Sequence, residues 1–325
     1  MMNELPLVSI CIPTYNSEKY IDKMLSTVIN QTYKNIEVII SDNFSTDNTF
    51  QLLQAYNGRL NWKIKQNTEN IGALNNMSRL IELANGKYVA LYHADDMYEP
   101  EIVEKSVTVL ENASNISMVS TMGNSIDDND NVLSTFILPK NFEKKKSLPF
   151  TLVFSEILSQ RPFFLITPSI MTRSKYYKDN SKFNSKYKSS ADYGMWFEIL
   201  QRGDLYIVNE RLINYRTHNQ QGTFLEIKEN YKISDCISLY EDYAKKNKEL
   251  YWDSFKYSYF KLMLIQAIKL NNIGKFRRSQ LFLRMILKRT KKYIFSWIIL
   301  FMFCNLLHIR FSLNNLLTIK KCLRK

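Results

Sequence analysis

Two adjacent carboxylates, Asp95 and Asp96, follow closely on the apolar run of residues 87–92. Neighbouring carboxylates repel each other unless a cation or hydrogen bonds compensate their charge. Their oxygen atoms suit Mg²⁺ or Mn²⁺, which commonly bridge protein carboxylates to the phosphates of a substrate. The pair therefore indicates a site for a divalent cation and a phosphorylated ligand. The alternative is that both are solvated turn residues before a helix.

Polar residues also follow the other apolar runs of the first 100 residues. Residues 13–16 (Pro-Thr-Tyr-Asn) follow the first run, residues 41–43 (Ser-Asp-Asn) follow the second, and residues 70–72 (Asn-Ile-Gly) open the helix after the third. Open parallel sheets bind ligands at the carboxyl ends of their strands, so we expect these groups to converge with Asp95 and Asp96. The chain has no glycine-rich phosphate loop, which argues against a dinucleotide oxidoreductase and a P-loop NTPase.

Strands and helices alternate over the first 118 residues. Apolar runs predict four strands, at 7–13, 36–40, 62–65 and 87–92. Helical spacing separates them at 17–29, 45–53 and 71–84, with Gly86 as the predicted C-cap of the third helix, and another helix starts at residues 99–101. This order predicts an α/β fold with a mostly parallel, Rossmann-like sheet flanked by helices.

After residue 118 the pattern changes to short apolar runs. They occupy residues 117–122, 132–138, 163–172, 205–208 and 211–215, with helical spacing near 148–159 and 192–201. We expect this part to complete the sheet. From residue 226 onward the spacing predicts helices only.

Six short segments, in this order and spacing, resemble glycosyltransferase family 2, whose members are inverting enzymes with the GT-A fold. They are residues 8–16, 31–33, 37–47, 70–72, 86–88 and 93–96, and the resemblance extends over about residues 5–220. It implies a GT-A catalytic domain at 1–225, with a nucleotide-sugar-binding half at 1–118 and an acceptor half at 119–225. Residues 226–325 would then be a helical C-terminal extension.

The resemblance implies a role for each matching residue of the donor site. Pro13, Thr14 and Tyr15 would line the nucleotide pocket. Asp42 would accept a hydrogen bond from the base, as the N3–H of uracil demands, and Asn70 and Asn75 would contact the donor. Asp95 would hold the ribose, and Asp96 would hold a diphosphate-bound Mn²⁺ or Mg²⁺.

Asp192 and His218, in the second half of the catalytic domain, also match family positions. His93, in the first half, differs from the residue that many relatives carry. Asp192 matches the catalytic base, where relatives often carry Glu-Asp; Ala191 replaces the Glu, and a purely helix-stabilising acid is the alternative. His218, within Tyr-Arg-Thr-His at 215–218, matches a segment that closes over the diphosphate and is a candidate metal ligand. His93 stands where many relatives have Asp, and it either assists the donor site or ends the strand.

The charge of the chain is concentrated in its last 53 residues. The 325 residues include 44 Lys and Arg against 31 Asp and Glu, a net charge of +13, and residues 273–325 hold 13 basic and no acidic residues. A hydrophobic fraction of 45% excludes a disordered chain. The four cysteines lack metal-ligand spacing and are expected to be reduced thiols, and the N-terminus has no signal-peptide pattern.

The basic C-terminal region predicts a contact with an anionic membrane. Arg277, Arg284, Lys288 and Lys291 share one helical stripe, and residues 294–309 form an apolar stretch. As a helix that stretch would be about 24 Å long, short of the hydrocarbon core of about 30 Å. We expect it to lie in the membrane interface, with a transmembrane span or packing on the catalytic body as alternatives. Nucleic-acid binding is not expected, because no reader motif is present.

These observations predict a metal-dependent inverting glycosyltransferase of bacterial type, cytoplasmic and peripheral on the inner face of the plasma membrane. It would move a hexosyl or N-acetylhexosaminyl group from a nucleotide sugar, with UDP favoured, to a saccharide or lipid-linked saccharide of surface polysaccharide or glycolipid synthesis. Two alternatives stay open. One is a degenerate, membrane-associated scaffold. The other is a nucleotidyltransferase, which needs a basic phosphate-binding loop that residues 13–16 do not supply.

Overall fold

A computed structural model of the chain describes residues 5–159, 164–178, 182–218 and 235–289. The chain divides into two compact units. The first comprises Met1–Ile157 and Arg161–Gln221, and its described part carries the whole sheet. The second comprises Leu158–Gln160 and Gly222–Lys325, and its described part beyond residue 234 is helical.

Four parallel strands form one half of the sheet. They are β1 (Val8–Thr14), β2 (Ile36–Asp42), β3 (Trp62–Gln66) and β4 (Tyr88–Leu91), in the spatial order β3-β2-β1-β4. Strands β1, β2 and β4 are buried along nearly their whole length, as continuous apolar runs predict. The register pairs Thr14 with Asp42 and Cys11 with Leu91, so the carboxyl ends of these strands meet at one edge. This edge is called the carboxyl edge below.

Three amphipathic helices connect these strands. They are α1 (Ile21–Ile29), α2 (Thr49–Gln54) and α3 (Ala73–Leu83). Helix α1 buries Ile21, Met24, Leu25 and Val28, the face that the spacing of four residues predicted. The three helices therefore appear in the predicted places, each a few residues shorter than expected.

The predicted C-cap role of Gly86 is wrong. Helix α3 is capped at Ala84 in an extended conformation, and Gly86 has no positive φ. A Cβ atom on Gly86 would lie 2.6 Å from the backbone nitrogen of Ser9 and 2.7 Å from the carbonyl oxygen of Tyr88. Glycine is needed at this position because the chain passes close to β1, a requirement that the sequence pattern does not distinguish from a helix end.

The second half of the sheet is mixed. After β5 (Met97–Tyr98) and α4 (Ile102–Asn112) come β6 (Ile116–Ile126), β7 (Val132–Thr135), β8 (Met171–Arg173) and β9 (Asp204–Arg216), giving the order β3-β2-β1-β4-β8-β6-β9-β5 with β7 on β6. Strand β8 is antiparallel to both β4 and β6, and β9 is parallel to β6. Strands β6 and β9 therefore also end at the carboxyl edge. The runs predicted at 205–208 and 211–215 form a single irregular strand, β9.

The remaining helices of this part are α5 (Phe150–Leu158), α6 (Lys175–Lys178) and α7 (Ala191–Leu200), with 3₁₀ turns at Thr167–Ser169 and Ser185–Ser190. Helix α7 is apolar on most sides, and Trp196 and Phe197 are fully buried. A helix that is hydrophobic all round belongs in a core. Its burial fixes the position of its first turn, which carries Asp192.

The described part of the second unit contains α8 (Cys236–Lys246), α9 (Lys248–Asn272) and α10 (Phe276–Arg289). Helix α10 is the basic amphipathic helix that the spacing predicted. Its apolar residues Phe282 and Ile286 are buried against α9, and the Ser279 hydroxyl donates to the Ala267 carbonyl at 2.8 Å. Arg277 and Arg284 are exposed, so α10 offers solvent its cations rather than its apolar face.

Among the described residues, no helix has the length and apolar character that crossing a bilayer requires. The stretch 294–309 lies outside the described residues, as does Lys291 of the predicted basic stripe. The expectation of an interfacial helix there remains a prediction. Cys11 and Cys236 are free thiols, which agrees with the expected reduced state for these two.

Candidate functional site

Asp42 joins the ends of β1 and β2 at the carboxyl edge. Its fully buried carboxylate accepts hydrogen bonds from the Thr14 hydroxyl (3.1 Å), the Gln66 amide (2.9 Å), and the backbone nitrogen (3.0 Å) and hydroxyl (2.5 Å) of Ser45. A carboxylate offers about four acceptor positions, so all of them are in use. A nucleobase N–H would therefore have to replace one of these donors to reach Asp42.

Two exposed aromatic residues are close in sequence to Thr14 and Asp42. Tyr15, one of the predicted donor residues, is 47% exposed, whereas Thr14 is buried and Pro13 is partly buried. Phe44 is also 47% exposed and has a φ of 62°, an uncommon conformation for a bulky residue. The sequence analysis did not select Phe44, although its place two residues after Asp42 was a usable signal. Two exposed aromatic side chains thus follow the ends of β1 and β2, and such rings can stack on a flat ligand.

Side-chain amides, of which Asn43, Asn67 and Asn76 are buried, link β2 to the loop before α3. Asn43 donates to Asn70 Oδ1 at 2.8 Å, and Asn67 donates to both Asn43 (3.1 Å) and Asn76 (3.0 Å). The Ser41 hydroxyl also donates to Asn76 at 2.6 Å. Asn70 thus supports the loop at the carboxyl edge. Asn67 and Asn76 could not be predicted from the sequence, because their partners Asn43 and Ser41 lie at the end of β2, which is distant in sequence.

Asn75, the other predicted donor residue, lies on the first turn of α3. It is exposed, and its amide donates to the carbonyl of Ile71 at 2.8 Å. It takes no part in the hydrogen bonds among Asn43, Asn67, Asn70 and Asn76. Its predicted contact with the donor stays a prediction.

His93, Asp95 and Asp96 form an acidic group directly after β4, with one ligand atom from each within 4.8 Å of the others. Asp96 is fully buried, and its Oδ1 accepts a hydrogen bond from the Arg216 backbone at 2.8 Å. Its Oδ2 and the His93 Nε2 are buried without a hydrogen-bond partner in the described structure. Burying a polar atom without a hydrogen-bond partner destabilises the folded protein unless a ligand supplies that partner. Carboxylate oxygens together with an imidazole nitrogen suit a divalent cation such as Mn²⁺.

The two carboxylates have opposite pKa shifts. Burial and the charge of Asp95 raise the pKa of Asp96 well above its ordinary value. Burial also acts to raise the pKa of Asp95, but the hydrogen bond from His218 and the charges of His93 and His218 outweigh it, so that pKa is lowered. The second negative charge is therefore unfavourable in this group until a cation compensates it.

His218 lies beside this group at the end of β9. Its Nε2 is 2.9 Å from Asp95 Oδ2, and its ring centre is 5.1 Å from that of Tyr20. The three-residue group contains His93, which the sequence analysis left undecided, and His218 contacts it through Asp95. The assignment of His218 as a metal ligand stays a prediction.

Asp192 lies in the first turn of α7 and is partly exposed. The Thr167 hydroxyl donates to its Oδ2 at 2.8 Å, and the Tyr193 backbone donates to its Oδ1 at 2.8 Å. Burial raises the pKa of Asp192, and these hydrogen bonds and the charge of His93 offset only part of the rise. The charge of His93 acts on this pKa, so Asp192 and the acidic group interact electrostatically. Thr167 was missed because its 3₁₀ turn lies in a run expected to be simply apolar.

The chain matches the model of glycosyl transferase family 2 over residues 9–179. It is 31% identical over 225 residues to a Haemophilus influenzae protein named an uncharacterized glycosyltransferase, and the match spans 68% of each chain.

Solved structures share the fold. Staphylococcus aureus TarS 1-349 in complex with UDP-GlcNAc superposes with a TM-score of 0.55 at 18% identity, covering 89% of this chain and 75% of the other. The mannosyltransferase PcManGT from Pyrobaculum calidifontis, in complex with GDP-Man and Mn²⁺, superposes with a TM-score of 0.56 at 14% identity, covering 89% and 77%. Both likenesses confirm the predicted fold class, a GT-A type α/β sheet flanked by helices.

Proposed function

The chain belongs to glycosyltransferase family 2, and we propose that it transfers a sugar, with inversion, from a nucleoside-diphosphate donor to a hydroxyl group in a metal-dependent reaction. The observation that carries the proposal is the His93–Asp95–Asp96 group with its two unpartnered buried atoms. The charge of His93 also acts on Asp192, the proposed base. Family membership favours this function over a nucleotidyltransferase. It leaves the degenerate scaffold as the alternative to be tested.

The acidic group would hold a divalent cation, Mn²⁺ or Mg²⁺, through His93, Asp95 and Asp96. Asp95, for which the family resemblance implied a contact with the ribose, would thus also serve the cation. When bound, such a cation neutralises negative charge that develops on a diphosphate leaving group. The Mn²⁺ in PcManGT supports this assignment by analogy of fold. His218, hydrogen-bonded to Asp95, would contact the diphosphate or the cation from the end of β9.

Asp192 is the proposed catalytic base. Its carboxylate would accept the proton of the acceptor hydroxyl as that oxygen attacks the anomeric carbon from the face opposite the diphosphate, which inverts the anomeric configuration. Thr167 and the Tyr193 backbone hold the carboxylate in place. Its raised pKa makes it a stronger base than an exposed aspartate.

For the donor we propose a UDP-hexose or UDP-N-acetylhexosamine. Asp42 would accept the N3–H of uracil in exchange for one of its present donors, and the exposed side chains of Tyr15 and Phe44 would stack on the base. Pro13, Thr14, Asn70 and Asn75 would complete the donor site. The bound UDP-GlcNAc of TarS supports UDP, whereas the GDP-Man of PcManGT makes guanine the base to test against it.

For the acceptor we propose a saccharide or lipid-linked saccharide of surface polysaccharide or glycolipid synthesis, met at the inner face of the plasma membrane. The charge distribution supports this placement, since all 13 net positive charges arise in residues 273–325. Each Lys or Arg close to the surface of an anionic bilayer contributes about 1 kcal/mol to the free energy of membrane binding. The exposed Arg277 and Arg284 of α10 belong to this set.

A thermal-shift screen tests the donor and the cation together. We expect UDP with Mn²⁺ to raise the melting temperature by several degrees, because a ligand at about 100 times its Kd stabilises a folded protein by about 2.7 kcal/mol. UDP with EDTA should give a much smaller shift. GDP, ADP and CDP with Mn²⁺ serve as controls for the base. A larger shift with GDP would reassign the nucleotide, and no shift with any pair would contradict the donor site.

A further inference from the structure

Arg216 is a buried cation at the end of β9. Its side chain is 1% exposed and lies two residues before His218. A buried charge is tolerated only where hydrogen bonds and counter-charges compensate it. The contacts of the Arg216 side chain therefore indicate its role.

Two of those partners belong to the acidic group. The Arg216 backbone nitrogen donates to Asp96 Oδ1 at 2.8 Å, and its Nε donates to the carbonyl of Asp95 at 2.8 Å. The first bond occupies one oxygen of Asp96 and leaves Oδ2 unpartnered. The second fixes the peptide between the two carboxylates. The backbone at position 216 thus holds Asp96, and the Arg216 side chain holds the peptide that joins the two aspartates, without covering the oxygen that would face a cation. Only the side-chain bond depends on residue 216 being Arg.

The other end of the guanidinium contacts the β6–β7 turn, residues 127–131. Its Nη1 donates to the carbonyl of Asp127 at 2.5 Å, and its Nη2 forms an ion pair with Asp130 Oδ1 at 2.5 Å. An uncompensated guanidinium beside the acidic group would repel a second cation. The carboxylate of Asp130 offsets that charge, so Arg216 can support the site without opposing metal binding.

Tyr20, the residue just before α1, covers the guanidinium. The Arg216 Cζ lies 4.8 Å from the centre of the Tyr20 ring, a cation–π distance, and the Tyr20 hydroxyl donates to Asp128 at 2.6 Å. The same ring lies against His218. Three elements, α1, the β6–β7 turn and β9, therefore converge on one side chain behind the acidic group.

We propose that Arg216 is a positioning residue that holds Asp95 and Asp96 in the arrangement that binds the divalent cation. This inference rests on the metal site of the proposed function. Residues that orient metal ligands typically contribute about 10- to 100-fold to metal affinity. Arg216 contacts the ligands rather than the substrate, so it acts on metal affinity and not on the chemical step.

The test is Arg216→Lys in the full chain, with Mn²⁺ alone as the probe and free Mn²⁺ measured by electron paramagnetic resonance. Lysine keeps the positive charge but not the planar fork, so electrostatic repulsion of the metal is unchanged and a loss reports geometry. We expect the Kd for Mn²⁺ to rise about 10-fold or more. The Mn²⁺ concentration needed for half-maximal activity should rise in parallel, with kcat retained at saturating Mn²⁺.

Asp130→Asn is a second variant, at a turn residue that is 30% exposed and so less apt to disturb folding. It removes the counter-charge, and we expect weaker Mn²⁺ binding than in the wild type. Arg173→Lys is the matched control, because Arg173 also donates to backbone carbonyls, those of Leu110, Ala113 and Ile116, but at the opposite edge of the sheet. It should lower stability and leave the Kd for Mn²⁺ unchanged.

The outcomes separate the two proposals. Wild-type Mn²⁺ affinity in both Arg216→Lys and Asp130→Asn would overturn the role of Arg216 while the metal site stood. An equal loss of affinity in Arg173→Lys would also overturn it, since the effect would then be general destabilisation. Absence of Mn²⁺ binding by the wild type would instead refute the metal site itself.

Discussion

Asp192→Asn is expected to reduce kcat for sugar transfer by about 10² to 10⁴, the usual contribution of a general base. The amide of Asn cannot accept the proton of the acceptor hydroxyl, whereas the group keeps its size. Its single oxygen can still accept from the Tyr193 backbone, and its NH2 can donate to the Thr167 hydroxyl. Mn²⁺ and nucleotide binding should be unchanged. Because burial raises the pKa of Asp192, its ionised form is unfavourable when folded, so the variant should melt no earlier than the wild type.

The pH profile of the wild type provides a second measurement of the same role. Asp192 acts as a base only when deprotonated, so activity should be present above its pKa and fall as the pH drops through it. The raised pKa places this fall at a higher pH than for an exposed aspartate. Asp22→Asn is the matched control, since Asp22 is an exposed acid in the first turn of α1. Asp192→Asn turning over at the wild-type rate would contradict the assignment.

Asp96→Asn is expected to abolish the dependence of nucleotide binding on Mn²⁺. Asp96 contributes the buried, unpartnered Oδ2 to the acidic group, so its replacement removes a ligand rather than a supporting contact. The loss in metal affinity should exceed the roughly 10- to 100-fold that is typical of supporting residues. Isothermal titration with UDP, in Mn²⁺ and in EDTA, measures the effect.

Asp204→Asn is the control for Asp96, because Asp204 begins β9 at the opposite edge of the same sheet. It should bind UDP and Mn²⁺ as the wild type does. The metal-free Asp96→Asn protein should be at least as stable as the wild type, since the folded protein raises the pKa of Asp96 and thus disfavours its charge. Wild-type affinity for UDP in Mn²⁺ would refute the role of Asp96.

The first half of the fold and the carboxyl edge could be predicted from the sequence. Buried parallel strands have continuous apolar runs, and the polar residues after each run must converge when the strands are parallel. Asp42, Asp95 and Asp96 were found in this way. Asp192 and His218 came from the family resemblance, because no local pattern marks a lone acid in a helix turn or a histidine after a strand.

The contacts that organise the site could not be predicted. Arg216 meets Asp96 across 120 residues, and Asn43 meets Asn70 across 27, so each depends on strand order and register that a single sequence does not encode locally. The mixed order of the second half has the same cause. The role of Gly86 could not be predicted for a different reason. Glycine is favoured both where two backbone segments approach closely and at a helix C-cap, so the residue type does not distinguish the two.

The most direct test of the central claim is the release of nucleoside diphosphate by the purified full-length protein, supplied with a panel of nucleotide sugars and with Mn²⁺, Mg²⁺ or EDTA. We predict release from at least one UDP-sugar with a divalent cation, stimulated by a saccharide acceptor, absent in EDTA and lost in Asp192→Asn. No release from any nucleotide sugar with either cation would contradict a metal-dependent transferase and favour a degenerate scaffold.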